Sequence, residues 1–164
     1  MLIVAWVIGL ALLTHFFGGW QTEQGNPNQT PISQIAADGS REVRLLRNRS
    51  GHYLSSGKIN GQTVRFLLDT GATDVVIPED IAQKLNLEYG YPSRANTANG
   101  TITIYQTMID SLQLGEIELK NIRGSINPHM KMGSILLGMS ALKQLELIQR
   151  DRHLTLRQYA PNIP

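Results

Sequence analysis

The sequence predicts a small all-β domain with two short helices, preceded by an apolar N-terminal segment. Three observations carry this prediction. Asn-Gly occurs twice between runs of strand-forming residues, at Asn60-Gly61 and Asn99-Gly100, and it is the strongest short signal for a β-hairpin. The runs are short, and most alternate apolar with polar residues, as half-buried strands do. Residues 1–20 contain no Asp, Glu, Lys or Arg and are almost entirely apolar.

The composition excludes several classes of protein. The 164 residues are 41% apolar, which suffices for one packed core. The absence of cysteine excludes disulfides, iron–sulfur clusters and a thiol nucleophile. Lys and Arg number 15 against 13 Asp and Glu, so the net charge of +2 is too balanced for a protein that wraps nucleic acid. The 4 histidines lack metal-ligand spacing, and we expect no metal, no other cofactor and no nucleic-acid partner.

The N-terminal segment 1–20 has the length and character of a transmembrane helix, because about 20 helical residues span the ~30 Å hydrocarbon core. Trp20 would lie at the membrane interface. A cleaved signal peptide is an alternative, although a basic n-region and a small-residue cleavage site are not evident. A buried helix is a third, and it would need protein on every side. Residues 21–40 are polar with two prolines and predict a linker, so the folded domain is expected over 41–160.

Within that domain the first half predicts a strand near 43–45, a hairpin of 51–59 and 63–68, and a strand over 75–77. Pro78 followed by the acids Glu79 and Asp80 predicts the start of a helix. In the second half, the even positions 102, 104, 108, 112 and 114 are apolar and predict a long strand buried on one face. A turn at Gly115, a buried strand at 135–137, a helix over 139–147 and closing strands at 145–148 and 153–156 complete the expected order.

One motif carries chemistry. Asp69 ends an apolar strand and is followed at once by Thr70 and Gly71. A strand-end Asp can simply cap a turn with its carboxylate. However, the run Leu-Leu-Asp-Thr-Gly-Ala-Thr, the later Ile-Leu-Leu-Gly-Met at 135–139 and the order of the elements together resemble the retropepsin-like aspartic proteases (clan AA) over about residues 41–158. With residues 1–20 included, the chain resembles the membrane-anchored bacterial members.

The resemblance implies a closed β-barrel half of the acid-protease fold and an aspartic endopeptidase acting on protein or peptide substrates. Asp69 would be the catalytic carboxylate, and the Thr70 hydroxyl would link two active-site loops. The small Gly71 would let the backbone approach the carboxylate and supply an N–H. Leu137 and Gly138 form the second motif and would support the active-site loop. Asn99 and Gly100 would form the tip of a flap that closes over the substrate.

A single Asp-Thr-Gly motif predicts a homodimer. The expected domain 41–160 has four other aspartates, and none is followed by Thr/Ser-Gly: Asp74, Asp80, Asp110 and Asp151. Hydrolysis by this route needs two carboxylates, and a two-fold axis brings equivalent positions of two chains together. A C-terminal strand that closes the dimer would have to come from about 153–158. Met139 stands where viral members often carry Arg, so their dimer-stabilising ion pairs are not expected.

Two further expectations follow from the sequence and the resemblance. Anchored bacterial relatives imply a single-pass inner-membrane protein with its domain in the periplasm. The run of Arg41, Arg44, Arg47 and Arg49 near the linker is either a solvated face or a contact with anionic headgroups. The alternative to an enzyme is a catalytically silent retropepsin-like module for dimerisation or peptide binding, because fold does not imply function.

Overall fold

The computed structural model describes residues 6, 7, 10, 25–97 and 100–160. The strands are β1 Ile32–Ile35, β2 Arg41–Leu46, β3 Leu54–Ile59, β4 Gln62–Leu68, β5 Val75–Pro78, β6 Pro92–Thr97, β7 Gly100–Leu114, β8 Ile117–Asn127, β9 Ile135–Leu137, β10 Glu146–Arg150 and β11 His153–Gln158. Two short helices, α1 Glu79–Lys84 and α2 Met139–Leu142, complete the domain. The all-β prediction with short helices is confirmed.

Six of the strands close into a barrel in the order β3-β4-β9-β5-β8-β7, because β3 also pairs with β7 at Ile59↔Leu112. Strand β9 inserts between β4 and β5, parallel to β4 and antiparallel to β5. Strand β6 extends the sheet beyond β7. The barrel interior is apolar and fully buried, with Phe66, Ile77 and Ile126 at 0% exposure. The closed barrel predicted from the resemblance is therefore confirmed.

A second sheet has four strands in the order β1-β2-β11-β10. Its inner face consists of alternate apolar residues of β2 and β11 that are buried in the core: Val43, Leu45, Leu154 and Leu156. Strands β1 and β10 form its two edges within the described chain. The expectation that 153–158 could close a dimer is corrected, because β11 already has β2 on one side and β10 on the other.

The predicted linker 21–40 differs from the structure over its described part, 25–40. Strand β1 pairs antiparallel with β2, and Asn28 is only 4% exposed. The Asn28 side-chain amide donates to Leu46 O at 2.9 Å and to Leu54 O at 2.6 Å, and its Oδ1 accepts from Leu46 N at 2.7 Å. A polar residue can be buried because backbone groups satisfy it, and a hydropathy pattern does not show such partners.

The first hairpin prediction is confirmed in detail, since Asn60 and Gly61 have φ values of 48° and 80° between β3 and β4. The second hairpin also forms, with Thr97 paired to Gly100. Gly100, at φ 109°, is therefore the first residue of β7, and Asn99 lies outside the described residues.

The predicted alternation along β7 holds only in part. Thr107 and Ile109 are buried while Met108 is 55% exposed, whereas Leu112 and Leu114 are buried as predicted. In the partner strand β8, Asn121 has a φ of 53°. It lies between the residues of β8 that pair with residues 109 and 111 of β7. The hairpin is not regularly extended there. The buried positions of β7 therefore change from odd (107 and 109) to even (112 and 114). The predicted helix 139–147 is also shorter, because α2 ends at Leu142 and β10 begins at Glu146.

Among the described residues, no helix is long and apolar enough to cross a membrane. Only Trp6, Val7 and Leu10 of the segment 1–20 belong to those residues. The transmembrane prediction for 1–20 therefore lies largely outside them and stays a prediction.

Glu42 links β2 to β11 and is expected to make stability depend on pH. Its carboxylate accepts from Gln34 Nε2 at 3.0 Å and from Arg157 Nε at 2.6 Å. These bonds, the one from Gln34 foremost, lower the pKa of Glu42. A lowered folded-state pKa contributes stability above the unfolded pKa and loses it as pH falls through the folded pKa. Glu42→Gln is therefore expected to melt at a lower temperature than the native chain at neutral pH.

Thermal melts from neutral pH downward check this expectation. The difference in melting temperature between the native chain and Glu42→Gln should disappear below the pKa of Glu42. Glu88→Gln, at an exposed position, is the matched control, and its melting temperature should follow that of the native chain at every pH. A gap that persists unchanged at low pH would contradict the role given to the carboxylate.

Candidate active site

Asp69 follows the last residue of β4 at the point where the barrel strand ends. Parallel pairing sets Leu68 beside Leu137 of β9. The Asp69 backbone N–H donates to Leu137 O at 3.2 Å, so β9 holds the residue in place after β4 has ended. The side chain is partly exposed, which suits a group that must meet an incoming ligand.

The carboxylate of Asp69 organises its own loop. Gly71 N–H donates to Asp69 Oδ1 at 2.9 Å, and Ala72 N–H donates to Asp69 O at 3.2 Å. A Cβ at Gly71 would lie 3.1 Å from the same Oδ1, so the approach needs a small residue. Thr70 and Gly71 are exposed. The loop thus shows the turn-capping bond, and the side chain that makes it remains partly exposed.

The second motif, Leu137-Gly138, packs against this loop. A Cβ at Gly138 would collide with the carbonyl oxygen of Asp74 and lie 2.7 Å from that of Ala72. Directly after it, Met139 N–H donates to Ala72 O at 2.8 Å and Ser140 N–H donates to Thr73 O at 2.9 Å. Leu137 thus contacts Asp69, and Gly138 contacts Ala72 and Asp74, through backbone atoms. Their role in supporting an active-site loop stays a prediction.

Ser140 is a site residue that the sequence analysis missed. Ser140 is buried, with 8% of the residue exposed. The hydroxyl donates to Arg123 O at 2.7 Å and accepts from Val75 N–H at 3.0 Å, which joins α2 to β8 and β5. A buried hydroxyl with both partners satisfied is rigidly held. No local pattern marks this serine, because its partners lie 17 and 65 residues away.

An ion pair that the sequence analysis did not predict lies beside the loop. Arg123 Nε donates to Asp74 Oδ1 at 2.8 Å. The Arg123 side chain is 58% exposed, so the pair contributes little to stability. The pair joins β8 to the segment that follows Thr73. The pair lies within one chain and uses an arginine from β8, while position 139 is Met as read from the sequence.

The remaining site predictions concern the flap and a cofactor. The β6–β7 hairpin exists, with exposed Gly100 at the start of β7, and its predicted tip residue Asn99 lies outside the described residues. Its closure over a substrate stays a prediction, as does the Thr70 link between two loops. Within the described chain, no group of three or more His, Asp or Glu side chains could hold a metal ion.

A barrel half with an Asp-Thr-Gly loop at the end of β4 defines the class of retropepsin-like aspartic proteases. The chain belongs to the family described as gag-polyprotein putative aspartyl protease, which it matches over residues 55–144. Among solved structures it is similar to a retropepsin-like aspartic protease from Rickettsia conorii, with a TM-score of 0.60, 26% identity, and coverage of 80% of this chain and 97% of that one.

Two curated bacterial proteins are also similar. An uncharacterised protein in the cobV 5′ region of Sinorhizobium sp. is 31% identical over 128 residues, 74% of this chain and 54% of that protein. An uncharacterised protein of Rickettsia prowazekii (strain Madrid E) is 31% identical over 124 residues, 72% of this chain and 52% of that protein. The chain therefore spans about half the length of these relatives.

Proposed function

We propose that the chain is an aspartic endopeptidase that hydrolyses peptide bonds with the Asp69 carboxylates of two copies. The observation that carries the proposal is the placement of Asp69, held by Leu137 and Gly71 at the end of β4 with its side chain partly exposed. Membership of the aspartyl protease family supports the reaction class. The single motif supports the dimer, since one chain provides only one such carboxylate.

The chemistry needs two carboxylates close enough to share a proton. Like charges about 3 Å apart cannot both ionise, so one stays protonated. The ionised carboxylate takes a proton from a water molecule, and the oxygen of that water attacks the scissile carbonyl. The protonated carboxylate donates its proton to the carbonyl oxygen, which gives a tetrahedral diol. The carboxyl that took the proton from water then gives it to the peptide nitrogen, the C–N bond breaks, and one diol hydroxyl returns its proton to the other carboxylate. The peptide would lie extended and bond through its main chain to strand edges beneath the flap.

We propose that strand β10 forms the contact edge of such a dimer. Every residue of β10 is exposed, including Leu147 at 36% and Ile148 at 40%. An exposed edge strand is a template for pairing with another chain. Antiparallel pairing of two β10 strands centred on Ile148 would set Glu146 opposite Arg150 of the second copy, so opposite charges would meet.

Mixing chains tests the dimer and the chemistry together. Purified native chain and Asp69→Asn chain are combined at constant total concentration, and cleavage of a peptide library is measured. Random pairing leaves both carboxylates intact in about a quarter of the dimers at equal amounts, whereas independent monomers would keep about half of the activity. Activity that follows the square of the native fraction supports the proposal. Activity proportional to that fraction contradicts the dimer, and no cleavage by the native chain supports the silent module.

The edge assignment makes a separate prediction. Ile148→Asp is expected to weaken the dimer strongly, because two like charges would face each other at the centre of the β10 pair. Ile32→Asp is the matched control, since Ile32 lies on the other edge strand, β1, and is 72% exposed. Sedimentation measures the dimer dissociation constant of each. Equal weakening by both, or weakening by Ile32→Asp alone, would contradict the assignment to β10.

We further propose that residues 1–20 anchor the protein in the bacterial inner membrane with its domain in the periplasm. The uncharged apolar composition of this segment supports the anchor. If the domain lies in the periplasm, protease added to intact spheroplasts should digest it. If digestion requires disruption of the membrane, the domain faces the cytoplasm and the proposal is contradicted.

A further inference from the structure

The outer face of the four-stranded sheet, turned away from the core, has a row of residues set by strand register. The row crosses all four strands and consists of Ile32, Arg44, Thr155 and Ile148. Ile32 is 72% exposed and Arg44 is also exposed. Arginine beside exposed isoleucine is a composition found at membrane interfaces.

Two turns add arginines at one end of the same sheet. The β2–β3 turn contacts the β10–β11 turn, since Arg47 N–H donates to Arg152 O at 2.8 Å and Arg152 Nη2 donates to Arg47 O at 3.2 Å. Arg49 lies in the first turn and Arg150 at the start of the second. We call Arg44, Arg49, Arg150 and Arg152 the basic face.

The basic face keeps a net positive charge. Asp151 lies between Arg150 and Arg152, and the proposed pairing of β10 would set Glu146 of a second copy opposite Arg150, so these two acids offset part of the positive charge. Glu42 lines the same groove as Arg44 and Arg150, but its carboxylate is bonded to Arg157. His153 lines the groove as well. The arginines come from segments about 100 residues apart, as the bond between residues 152 and 47 shows, so the fold assembles the patch.

The N-terminal segment is attached at this end of the domain. Asn48 Nδ2, in the β2–β3 turn, donates to Gly25 O at 3.1 Å. Gly25 therefore lies beside the basic face, and the 24 residues before it, which include the apolar segment 1–20, are joined to the domain there.

We propose that the basic face binds the anionic phospholipid headgroups of the membrane in which segment 1–20 is anchored. The inference rests on the proposed anchor. A tether raises the effective concentration of headgroups at the face, so weak contacts suffice. Each arginine near an anionic surface favours the bound state by about fivefold. The domain would then lie on the bilayer with a set orientation.

The test uses the full chain in vesicles and exploits its lack of cysteine. Ser50→Cys, in the β2–β3 turn, takes a donor fluorophore, and the lipid takes an acceptor. Energy transfer is compared between phosphatidylcholine vesicles and vesicles with about a third of phosphatidylglycerol. Transfer should rise with phosphatidylglycerol and fall in about 1 M salt, where the Debye length is about 3 Å.

A charge-matched pair of variants locates the contact. Arg44→Gln/Arg152→Gln should lower the ratio of bound to unbound domain about 25-fold. Arg41→Gln/Lys120→Gln removes the same charge from residues that line a different groove, at the opposite end of β2, and should leave the ratio unchanged. Equal loss in both variants, or transfer independent of phosphatidylglycerol, overturns the proposal. Transfer that changes with protein density but not with phosphatidylglycerol assigns the face to a second copy and overturns it too.

The outcome is separable from the proposed function. Flotation of vesicles in about 1 M salt reports the anchor alone, because headgroup contacts are screened there. A chain that floats but shows no lipid dependence refutes only the contact of the basic face. The Asp69→Asn chain should bind vesicles like the native chain, so loss of cleavage and loss of membrane contact are measured independently.

Discussion

Asp69→Asn is expected to lower the rate of peptide cleavage at least about a thousandfold. An amide cannot take the proton from water, so neither member of the pair could act as the base. The change is nearly isosteric, and the amide oxygen can still accept the bond that Gly71 N–H now makes to Oδ1 at 2.9 Å. The fold and the dimer should therefore persist. Cleavage rate, circular dichroism and sedimentation of the same preparation are the measurements.

Asp110→Asn is the control for this substitution. Asp110 is exposed on β7 and, like Asp74, Asp80 and Asp151, lacks a following Thr/Ser-Gly. Its replacement removes the same charge and should leave the cleavage rate near that of the native chain. If Asp69→Asn retained most of its activity, or if both variants lost it equally, the reaction would not depend on the Asp69 carboxylate.

Gly138→Ala is expected to destabilise the domain by about 3 kcal/mol and to abolish cleavage with it. The added Cβ would collide with Asp74 O and lie 2.7 Å from Ala72 O. Both are backbone atoms of the active-site loop, so the loop itself would have to shift. The bonds from Met139 N–H and Ser140 N–H to the loop, at 2.8 and 2.9 Å, would be disturbed at the same time. Denaturant unfolding measures the loss.

Gly133→Ala tests whether steric contact or backbone entropy causes the effect. A Cβ at Gly133 would meet only Arg65 Nη2, at 3.3 Å, and the end of a flexible side chain can move. Stability should change little or rise slightly, since alanine restricts the unfolded chain. A similar loss in both variants would show that the close approach at Gly138 is not what the loop requires.

Local signals were sufficient for the turns and for the position of the catalytic candidate. Asn60-Gly61 predicted a hairpin because both residues must adopt positive φ, and both do. The apolar run before Asp69 predicted a strand that ends at an ionisable group, and β4 ends at Leu68. In each case the cause lies within a few residues of the feature, so the sequence shows it directly.

The segment before Arg41 and the strand β7 show where local signals end. Polarity and two prolines predicted a linker, but Asn28 is buried because backbone atoms of Leu46 and Leu54 satisfy its amide. Alternation predicted one buried face for β7, but Met108 is exposed and Ile109 buried, because the hairpin is not regularly extended beside Asn121. Both outcomes depend on what packs against the segment.

The sequence by itself determined the all-β class, the hairpin turns and the Asp-Thr-Gly loop, because turn chemistry and strand period are properties of neighbouring residues. Only the tertiary structure decided that β9 lies between β4 and β5, that Gly138 packs closely against the active-site loop and that Arg152 donates a hydrogen bond to Arg47. Such contacts join segments about 65 to 105 residues apart. Their formation depends on closing long loops and on competition among many strand edges for partners, which no local pattern encodes.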